Sequence, residues 1–478
     1  MKNPNFLNQL SGLLQRIRPR PHKLTVLLFT VALGLSVTLY ACQSSAQKEI
    51  TLCFAVPESQ DRKGEITDWK QLTEKFNNDN EGKIKIKLWG VSGGSSQLKD
   101  LYSRSFKNTD KDYDTNRECS ENSKYDLIYT DIVWLPEFAK NLLPLDKDFK
   151  EGELQDFLKT EIDNGKYAPE NNPHKTSSKL YRIPFRTDVG VLYYNKDLLG
   201  KEKVPTTFDE LLTISKNKLT NPNPVDYGYL WPGEEEGLVA MFVEVLNEKH
   251  GFWIDKDNGK VRLGEPNAIK AVEFLRRTIK EGISPPDKES KNEETAKKKF
   301  LEGKSVFLRS WPGVWAEAQN PDNKESKVQG KIGIAPVPGG KGCHGGWGLA
   351  IANNIPSERQ EAAIKAVKFL TSRESQLLFT LSHGSVPTRK DLFFYPSIVS
   401  RYSHYPELFN MVNNTVSRPR LARYQDVSNI LQKKLAEALK DDKDEDVSKI
   451  MKKAAEDTER CLNSERQCNY ILRILDRN

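Results

Sequence analysis

The spacing of apolar residues predicts a chain in which buried strands alternate with amphipathic helices. Continuous apolar runs at residues 50–56 and 125–131 are typical of strands covered on both faces, and residues 83–88 alternate as a half-exposed strand. Apolar residues recur at helical spacing in three further segments, at residues 66–77, 268–279 and 361–370. This alternation predicts an α/β fold with mainly parallel sheets flanked by helices.

One apolar strand, within residues 182–199, carries two charged residues, Arg186 and Asp188. Burying an ionised side chain costs several kcal/mol unless the charge is paired or hydrogen-bonded, so these two positions need an explanation. Since both lie on one face of the strand, they can satisfy each other as a structural ion pair. Alternatively, they line a cleft and hydrogen-bond a polar ligand.

The N-terminus has the layout of a bacterial export signal. Residues 1–41 contain five basic residues and no acid, and the apolar run 24–41 is followed by Cys42. Residues 39–42 resemble a lipobox, with the bulky Tyr40 before Ala41, which predicts that Cys42 is lipidated and that residues 42–48 form a tether. The alternative is an uncleaved membrane anchor, because 18 apolar residues approach the length that spans a bilayer.

The charge of the chain argues against a nucleic-acid partner. Five of the seven excess positive charges lie in residues 1–41, which leaves +2 on the rest. A nucleic-acid-binding protein is expected to carry a basic stripe. With 29% charged and 37% hydrophobic residues, the remaining chain fits a globular protein long enough for two compact lobes.

The cysteines predict a disulfide rather than a metal site. Cys461 and Cys468 are close in sequence and can pair in an oxidising compartment. Cys53 lies inside the first strand, where we expect a small buried hydrophobic residue. Because no Cys-x-x-Cys or His-x-x-x-His spacing occurs, we expect no metal and no cofactor.

Three polar stretches are predicted to be surface loops. Residues 107–124 are a polar insertion between elements, and residues 441–446 are a solvated charged turn. Residues 255–259 superficially suggest a calcium loop, but Pro266 stands where that loop needs its twelfth-position Glu. We therefore interpret 255–259 as a hairpin turn.

Tryptophans next to Pro-Gly turns and glycines are candidates for stacking against a ligand. Trp231 and Trp311 each precede Pro-Gly, Trp315 follows four residues later, and Trp347 lies among glycines. A sugar site needs carboxylates and Arg in the plane of the ring, with aromatic rings above and below it. The alternative for each tryptophan is a core or lobe-packing role, and Trp315 fits that role best.

These segments carry a family resemblance. Residues 184–199, followed by 204–212, resemble the first inter-lobe crossover of extracellular solute-binding protein family 1, which includes trehalose/maltose-binding proteins of ABC importers. The tryptophan segments resemble the Trp-Pro-Gly-Glu-Glu, Asn-Trp-Pro-x-x-Trp and Gly-Gly-Trp motifs of that family, with Ser310 where Asn is common. The resemblance extends from Cys53 to the tail motif 421–431.

The resemblance implies a two-lobed periplasmic-binding-protein fold of type II with the ligand cleft between the lobes. We expect the chain to cross between lobes at residues 184–190, 331–338 and 370–375. The implied lobes are discontinuous, with residues 49–185 and 336–372 in the N-terminal lobe and residues 186–335 and 373–478 in the C-terminal lobe. Two lobes joined by extended segments can close over a ligand.

The resemblance also assigns ligand contacts. Asp131 and Asp188 match carboxylates that bind sugar hydroxyls, Arg186 stands where relatives often carry an aromatic residue, and Arg389 matches a Pro-x-Arg loop. The full set of implied sugar-binding residues is Glu58, Asp131, Arg186, Asp188, Trp231, Trp311, Trp347 and Arg389.

Together these features predict a monomeric lipoprotein, without enzymatic activity, on the extracytoplasmic face of a bacterial membrane. It would bind a di- or oligosaccharide, or a glycosyl-polyol, and deliver it to an ABC importer. A secreted glycosidase that uses Asp131 and Asp188 as its carboxylate pair is the enzymatic alternative. A sensor-coupled binding module, or one that cages a cationic solute between tryptophans, is the third.

Overall fold

The computed structural model describes residues 49–58, 63–107, 118–168, 178–220, 225–255, 258–285, 292–440 and 446–475. The predicted signal segment, the tether and Cys42 lie outside these residues. No helix in the described part of the chain has the length and apolar character needed to cross a membrane.

Strands account for twelve segments of the described residues. They are β1 (Ile50–Glu58), β2 (Ile84–Ser92), β3 (Leu127–Asp131), β4 (Lys166–Tyr167), β5 (Lys179–Leu180), β6 (Ile183–Val189), β7 (Val191–Asn195), β8 (Tyr227–Leu230), β9 (Ser305–Ser310), β10 (Ile332–Pro336), β11 (Gly342–Ile351) and β12 (Thr415–Val416).

Helices fill most of the intervals between the strands. They are α1 (Lys63–Asp79), α2 (Ser95–Lys107), α3 (Leu135–Phe138), α4 (Glu151–Leu154), α5 (Lys159–Gly165), α6 (Lys196–Leu199), α7 (Phe208–Leu219), α8 (Glu235–Glu248), α9 (Pro266–Lys280), α10 (Glu293–Leu301), α11 (Val314–Gln319), α12 (Ser357–Leu370), α13 (Arg373–His383), α14 (Pro396–Arg401), α15 (Tyr405–Val412), α16 (Tyr424–Leu439), α17 (Val447–Asn463) and α18 (Glu465–Leu475). Short 3-10 turns occur at Ala139–Asn141 and Lys390–Phe394.

Two mixed sheets form the centre of the fold. The first has the order β12-β11-β3-β1-β2, with β6 also paired to β11, and the second has the order β10-β7-β9-β8. Pairs β1-β2, β1-β3, β11-β12 and β8-β9 are parallel, whereas β11 runs antiparallel to β3 and β6, and β7 runs antiparallel to β9 and β10. The α/β prediction is confirmed, but the sheets are not mainly parallel. Apolar runs predict burial on both faces, and strand direction depends instead on how the chain enters each sheet.

The chain passes between the two sheets at Gly190, because β6 pairs with β11 in the first sheet and β7 pairs with β9 and β10 in the second. It passes back between β10 and β11, at residues 337–341. Gly190 is the last residue of the first predicted crossover, 184–190, and residues 337–341 begin at the end of the second, 331–338. The segment 182–199 is therefore two strands in different sheets, not the single strand that its apolar pattern predicts.

The third predicted crossover, at residues 370–375, differs from the structure. Helix α13 follows this segment but still packs against α1, which covers the first sheet. There, His383 Nδ1 lies 2.5 Å from Asp68 Oδ2. Strand β12 then pairs with β11, so residues 373–478 do not lie wholly with the second sheet as expected. The reason is that two strand residues, Thr415 and Val416, are too few to give an alternating pattern in the sequence.

Two disulfides join described residues, Cys53–Cys119 and Cys461–Cys468. The Cys461–Cys468 bridge is the one that the spacing predicts. The expectation that Cys53 is only a buried hydrophobic residue is wrong, because the end of the polar insertion at residues 118–125 returns beside β1. Cys343 is the free cysteine of the described residues; burial raises the pKa of its thiol to about 11.

The two short acidic stretches form turns at their described ends. Ile254 and Val261 form an antiparallel bridge, and the Asp255 N–H donates to the Lys260 carbonyl at 2.9 Å, as in a hairpin. Residues 256–257 lie outside the described part. Asp446, at the end of the predicted charged turn, caps α17 by accepting from the Ser448 N–H. Residues 441–445 and 108–117 also lie outside the described residues.

Candidate functional site

Strand β11 organises the candidate site because its two faces meet different sets of side chains. Its register places Gly345 opposite Asp188, and Trp347 opposite both Arg186 and Asp131. The intervening Gly346 has a φ of +142° and leaves no room for a side chain, since a Cβ there would lie 2.9 Å from the Arg186 carbonyl oxygen. The sequence Gly-Gly-Trp therefore lets β6 and β3 approach β11 from both edges.

Asp131 is the last residue of β3 and lies opposite Trp347 of β11. Its Oδ1 accepts the N–H of Val133 at 3.0 Å, and it lies 3.8 Å from Nη2 of Arg418. Burial raises the pKa of the Asp131 carboxyl, and Arg418 and the Val133 N–H act in the opposite direction. These two partners therefore favour the ionised form of the carboxyl.

Arg186 and Asp188 form the ion pair that one interpretation of the sequence predicts, with 3.3 Å between Nη1 and Oδ2. Arg186 Nε also donates to the Tyr129 hydroxyl at 3.1 Å, and its guanidinium lies 5.8 Å from the Trp347 ring centre. Burial alone would lower the pKa of Arg186, but Asp188 and Tyr129 raise it. Both charges are retained on one face, with a small part of each side chain exposed to solvent.

Trp347 belongs to an aromatic cluster at the same place. Its ring centre is 4.8 Å from that of Tyr129 and 5.1 Å from that of Trp134, in a near edge-on arrangement with the latter. The Trp347 side chain is mostly buried, so these contacts fix its orientation.

Trp311 brings the second sheet to the same set of residues. It follows β9, and a Cβ placed on Gly345 would lie 3.2 Å from both the Trp311 ring and Asp188. Its Nε1 donates to Glu293 at 2.6 Å, and the Arg309 guanidinium lies 4.4 Å from its ring centre. The structure therefore places the Trp311 ring and the Cβ atom of Asp188 next to Gly345.

Two of the sequence-predicted residues have other surroundings. Trp231 is 4% exposed, and its N–H donates to Ser284 and Thr278 inside the fold, which are core contacts. Arg389 donates to the Thr371 carbonyl at 3.2 Å and lies over the ring of Phe157.

Glu58 is exposed at the end of β1, with its side chain over Gly90 of the neighbouring strand. The pairing Phe54–Leu127 puts Glu58 and Asp131 equally far along adjacent parallel strands, at one sheet edge. Trp315 packs on His404 with ring centres 4.2 Å apart, which agrees with its packing interpretation.

Two residues that the sequence interpretation did not single out complete the charged set. Arg418 donates to Glu236 Oε2 at 2.7 Å while approaching Asp131. Glu236 lies five residues after Trp231, so the Trp-Pro-Gly-Glu-Glu motif ends one residue before it. Arg418 carried no signal, because it is one of three arginines in a loop, 287 positions from Asp131 in the sequence.

The opposite face of β11 covers a second, fully buried ionic cluster. His344 Nε2 lies 2.7 Å from Glu161 Oε1, and Arg182 donates to Glu161 Oε2 at 3.3 Å. Burial would raise the pKa of Glu161, but His344 and Arg182 together hold it below its usual value. This cluster fastens α5 to β11, away from the Trp311 face.

One grouping of possible metal ligands occurs in the described residues, Asp426 with Cys461 and Cys468. Both sulfurs are joined in a disulfide, so they are not available as thiolate ligands. The chemistry of the site around Asp188 is instead that of hydrogen bonding and aromatic contact. It offers carboxylate acceptors, an Arg donor and indole rings, with the positive and negative charges paired.

Comparisons with known proteins identify the family and the fold of the chain. A sequence model of bacterial extracellular solute-binding proteins matches residues 63–377. A probable ABC transporter-binding protein from Deinococcus radiodurans is 28% identical over 321 residues, covering 64% of this chain and 73% of that protein. The maltodextrin-binding protein MdxE of Bacillus subtilis is 28% identical over 169 residues, covering 34% and 37%.

Two solved structures have the same two-lobed fold. Maltose-bound MalE3 from T. maritima gives a TM-score of 0.73 at 29% identity and covers 86% of this chain and 99% of its own. An ABC transporter solute-binding protein from Agrobacterium radiobacter, in complex with ribitol, gives 0.70 at 22% identity and covers 87% and 100%. The predicted two-lobed fold is thereby confirmed.

Proposed function

Because the chain belongs to the family of bacterial extracellular solute-binding proteins, whose fold is that of binding proteins rather than enzymes, we propose that it captures a sugar and delivers it to an ABC importer. The ligand class is a di- or oligosaccharide or a glycosyl-polyol. The maltose in its T. maritima relative supports this class.

The meeting of Trp311 with Asp188 at Gly345 is the observation that carries the proposal. The indole comes from the second sheet and the carboxylate from the strand that leaves the first. An indole face suits the C–H patches of a sugar ring, and a carboxylate accepts hydrogen bonds from its hydroxyls. A ligand between them would touch both lobes at once.

Capture would occur by closure of the lobes about the two crossovers. Gly190 and the turn at residues 337–341 are short connections between the sheets, and short connections of this kind can act as hinges. A ligand that contacts both lobes binds the closed form better and so shifts the population toward it. The closed form would be the one that docks on the importer, with the protein acting as a monomer.

The site is proposed to bind its ligand without altering it. Isothermal titration calorimetry against trehalose, maltose, sucrose, palatinose-type isomers and glucosylglycerol should identify a saturable ligand. The sugar recovered from the complex should be unchanged. Release of monosaccharide would instead support a glycosidase, and binding of betaine but of no sugar would support a cationic-solute site.

Lipidation of Cys42 would hold the protein on the extracytoplasmic face of the membrane. Cys42→Ser should move the protein from the membrane fraction to the soluble fraction of lysed cells. Persistent membrane attachment of this variant would indicate an uncleaved anchor instead.

A further inference from the structure

We propose that Arg418 is a positioning residue of the ligand site: it links Asp131, at the end of β3, to Glu236 on α8, and so holds the Asp131 carboxylate ready to accept hydrogen bonds from the ligand. This proposal rests on the proposed sugar-binding function.

Arg418 is almost entirely buried, although it lies in the loop between β12 and α16. Its Nη1 donates to Glu236 at 2.7 Å, and its Nη2 is 3.8 Å from Asp131. The contact to Glu236 is a charge-assisted hydrogen bond, which is stronger than a neutral one, and the contact to Asp131 is an ion pair without a hydrogen bond. One cation thus serves two acids from separate parts of the fold.

Glu236 is firmly fixed on its side of this link. It accepts hydrogen bonds from Tyr424, Ser428 and Gln432, which lie at four-residue spacing on one face of α16. The residue before it, Glu235, has a φ of +55°, a left-handed conformation that a side chain adopts at some cost. Arg418, Glu236 and α16 therefore form one assembly with α8.

Asp131 belongs to the other side. It ends β3 and pairs in register with Trp347 of β11, so it is fixed to the first sheet. Arg418 follows β12 by two residues, and α8 packs against β11 and β12 of the same sheet, so these elements hold the Arg418 guanidinium beside Asp131.

The surrounding charges make this contact matter. Arg418 and Arg182 face Asp131 with positive charge, Glu236 faces it with negative charge, and the Val133 N–H donates to it. Without Arg418, the partly buried carboxylates of Asp131 and Glu236 would repel each other. Since burial already raises the pKa of Asp131, loss of Arg418 should raise it further, and ligand binding should fail at a higher pH on acidification.

The test compares Arg418→Gln with Arg420→Gln in calorimetric titrations of the best ligand from pH 5 to 8. Arg420 is a matched control, because it donates to the backbone carbonyls of Asp163, Asn164 and Lys166 rather than to these carboxylates. We expect Arg418→Gln to weaken affinity at least about tenfold and to move the acidic loss of binding to higher pH.

Arg418→Lys should bring the pH profile back toward that of the wild type, because the positive charge is kept. A wild-type pH profile and affinity in Arg418→Gln would overturn the proposal.

A second measurement needs no ligand. The melting temperatures of Asp131→Asn, Arg418→Gln and the double variant form a cycle, and non-additive shifts are expected because the two side chains interact. Additive shifts would overturn the link. If the wild type binds no sugar, the proposed function fails, and the cycle still decides whether Arg418 and Asp131 are coupled.

Discussion

Glu244 and Arg309 form a bidentate ion pair, with N–O distances of 2.6 and 2.9 Å, directly beneath the crossover at Gly190. Both side chains are fully buried, and Glu244 also accepts the Cys343 N–H at 2.8 Å. The pair therefore contacts the first crossover and the start of β11, which makes the stability of the crossover depend on buried charge.

Gly190→Ala should destabilise the protein strongly. A Cβ at this position would lie 1.8 Å from Glu244 Oε1 and 2.6 Å from Arg309 Nη2, so the ion pair would have to move. The measurement is the midpoint of urea unfolding. Gly313→Ala is the control, because a Cβ there meets no atom within 4 Å. Equal midpoints for the two variants would contradict the close packing at the crossover.

Glu244→Gln should lower the free energy of unfolding by about 3–5 kcal/mol, because it leaves the charge of Arg309 buried and unpaired. The exposed pair Lys75–Asp79 provides the comparison, and Asp79→Asn there should cost about 0–1 kcal/mol. Chemical denaturation of both variants measures the difference. Similar small losses would show that the buried pair is dispensable.

Trp311→Ala should weaken sugar binding at least about tenfold, since its ring faces Gly345 and Asp188 where a ligand would stack. Trp231→Ala should instead lower the free energy of unfolding by about 3–5 kcal/mol, because that indole is packed in the core. Calorimetric titration and denaturation of each variant separate the two effects. If Trp231→Ala kept its full stability but lost its sugar affinity, Trp231 would be a ligand contact after all.

This contrast shows what the sequence could and could not predict. Trp231 and Trp311 share the same Trp-Pro-Gly context, so local pattern marks both as turn residues, and only the depth of each in the fold separates them. Periodicity located β1, β3, α9 and α12 within a few residues, because burial of a face repeats along an element.

Contacts between residues that are far apart in the sequence produce no such periodic pattern. Arg418 meets Glu236 across 182 positions, and Cys53 meets Cys119 across 66, so neither contact affects the pattern of its own segment. The sequence pattern also did not predict the direction of the strands, because direction depends on pairing between distant segments. The charges at Arg186 and Asp188 were the exception, since a polar residue inside an apolar run signals a contact without naming its partner.

The two disulfides should differ in what they contribute. In the chain-entropy description, a bridge across 66 residues stabilises by about 4 kcal/mol and one across 7 residues by about 2 kcal/mol. Replacing Cys53 and Cys119 by Ala should therefore cost more than replacing Cys461 and Cys468. Denaturation midpoints of the two double variants test the order, and a larger loss at the C-terminal bridge would contradict it.

The His383–Asp68 contact should make stability depend on pH. The hydrogen bond to Asp68 raises the pKa of His383, against the effect of burial. The stabilisation is then complete below the unfolded pKa of about 6.5 and is lost as pH rises through the higher folded value. The melting temperature of the wild type minus that of His383→Gln should fall across this range. A difference that is constant with pH would show that the pair does not titrate there.

The buried state of Cys343 has a practical use. Both disulfides occupy the other four cysteines of the described residues, and the Cys343 thiol is fully enclosed with its pKa raised to about 11. Such a thiol reacts slowly with alkylating dyes at neutral pH. A single cysteine engineered onto the rim near Trp311 would take up a fluorophore selectively, and lobe closure could then be read as a change in emission.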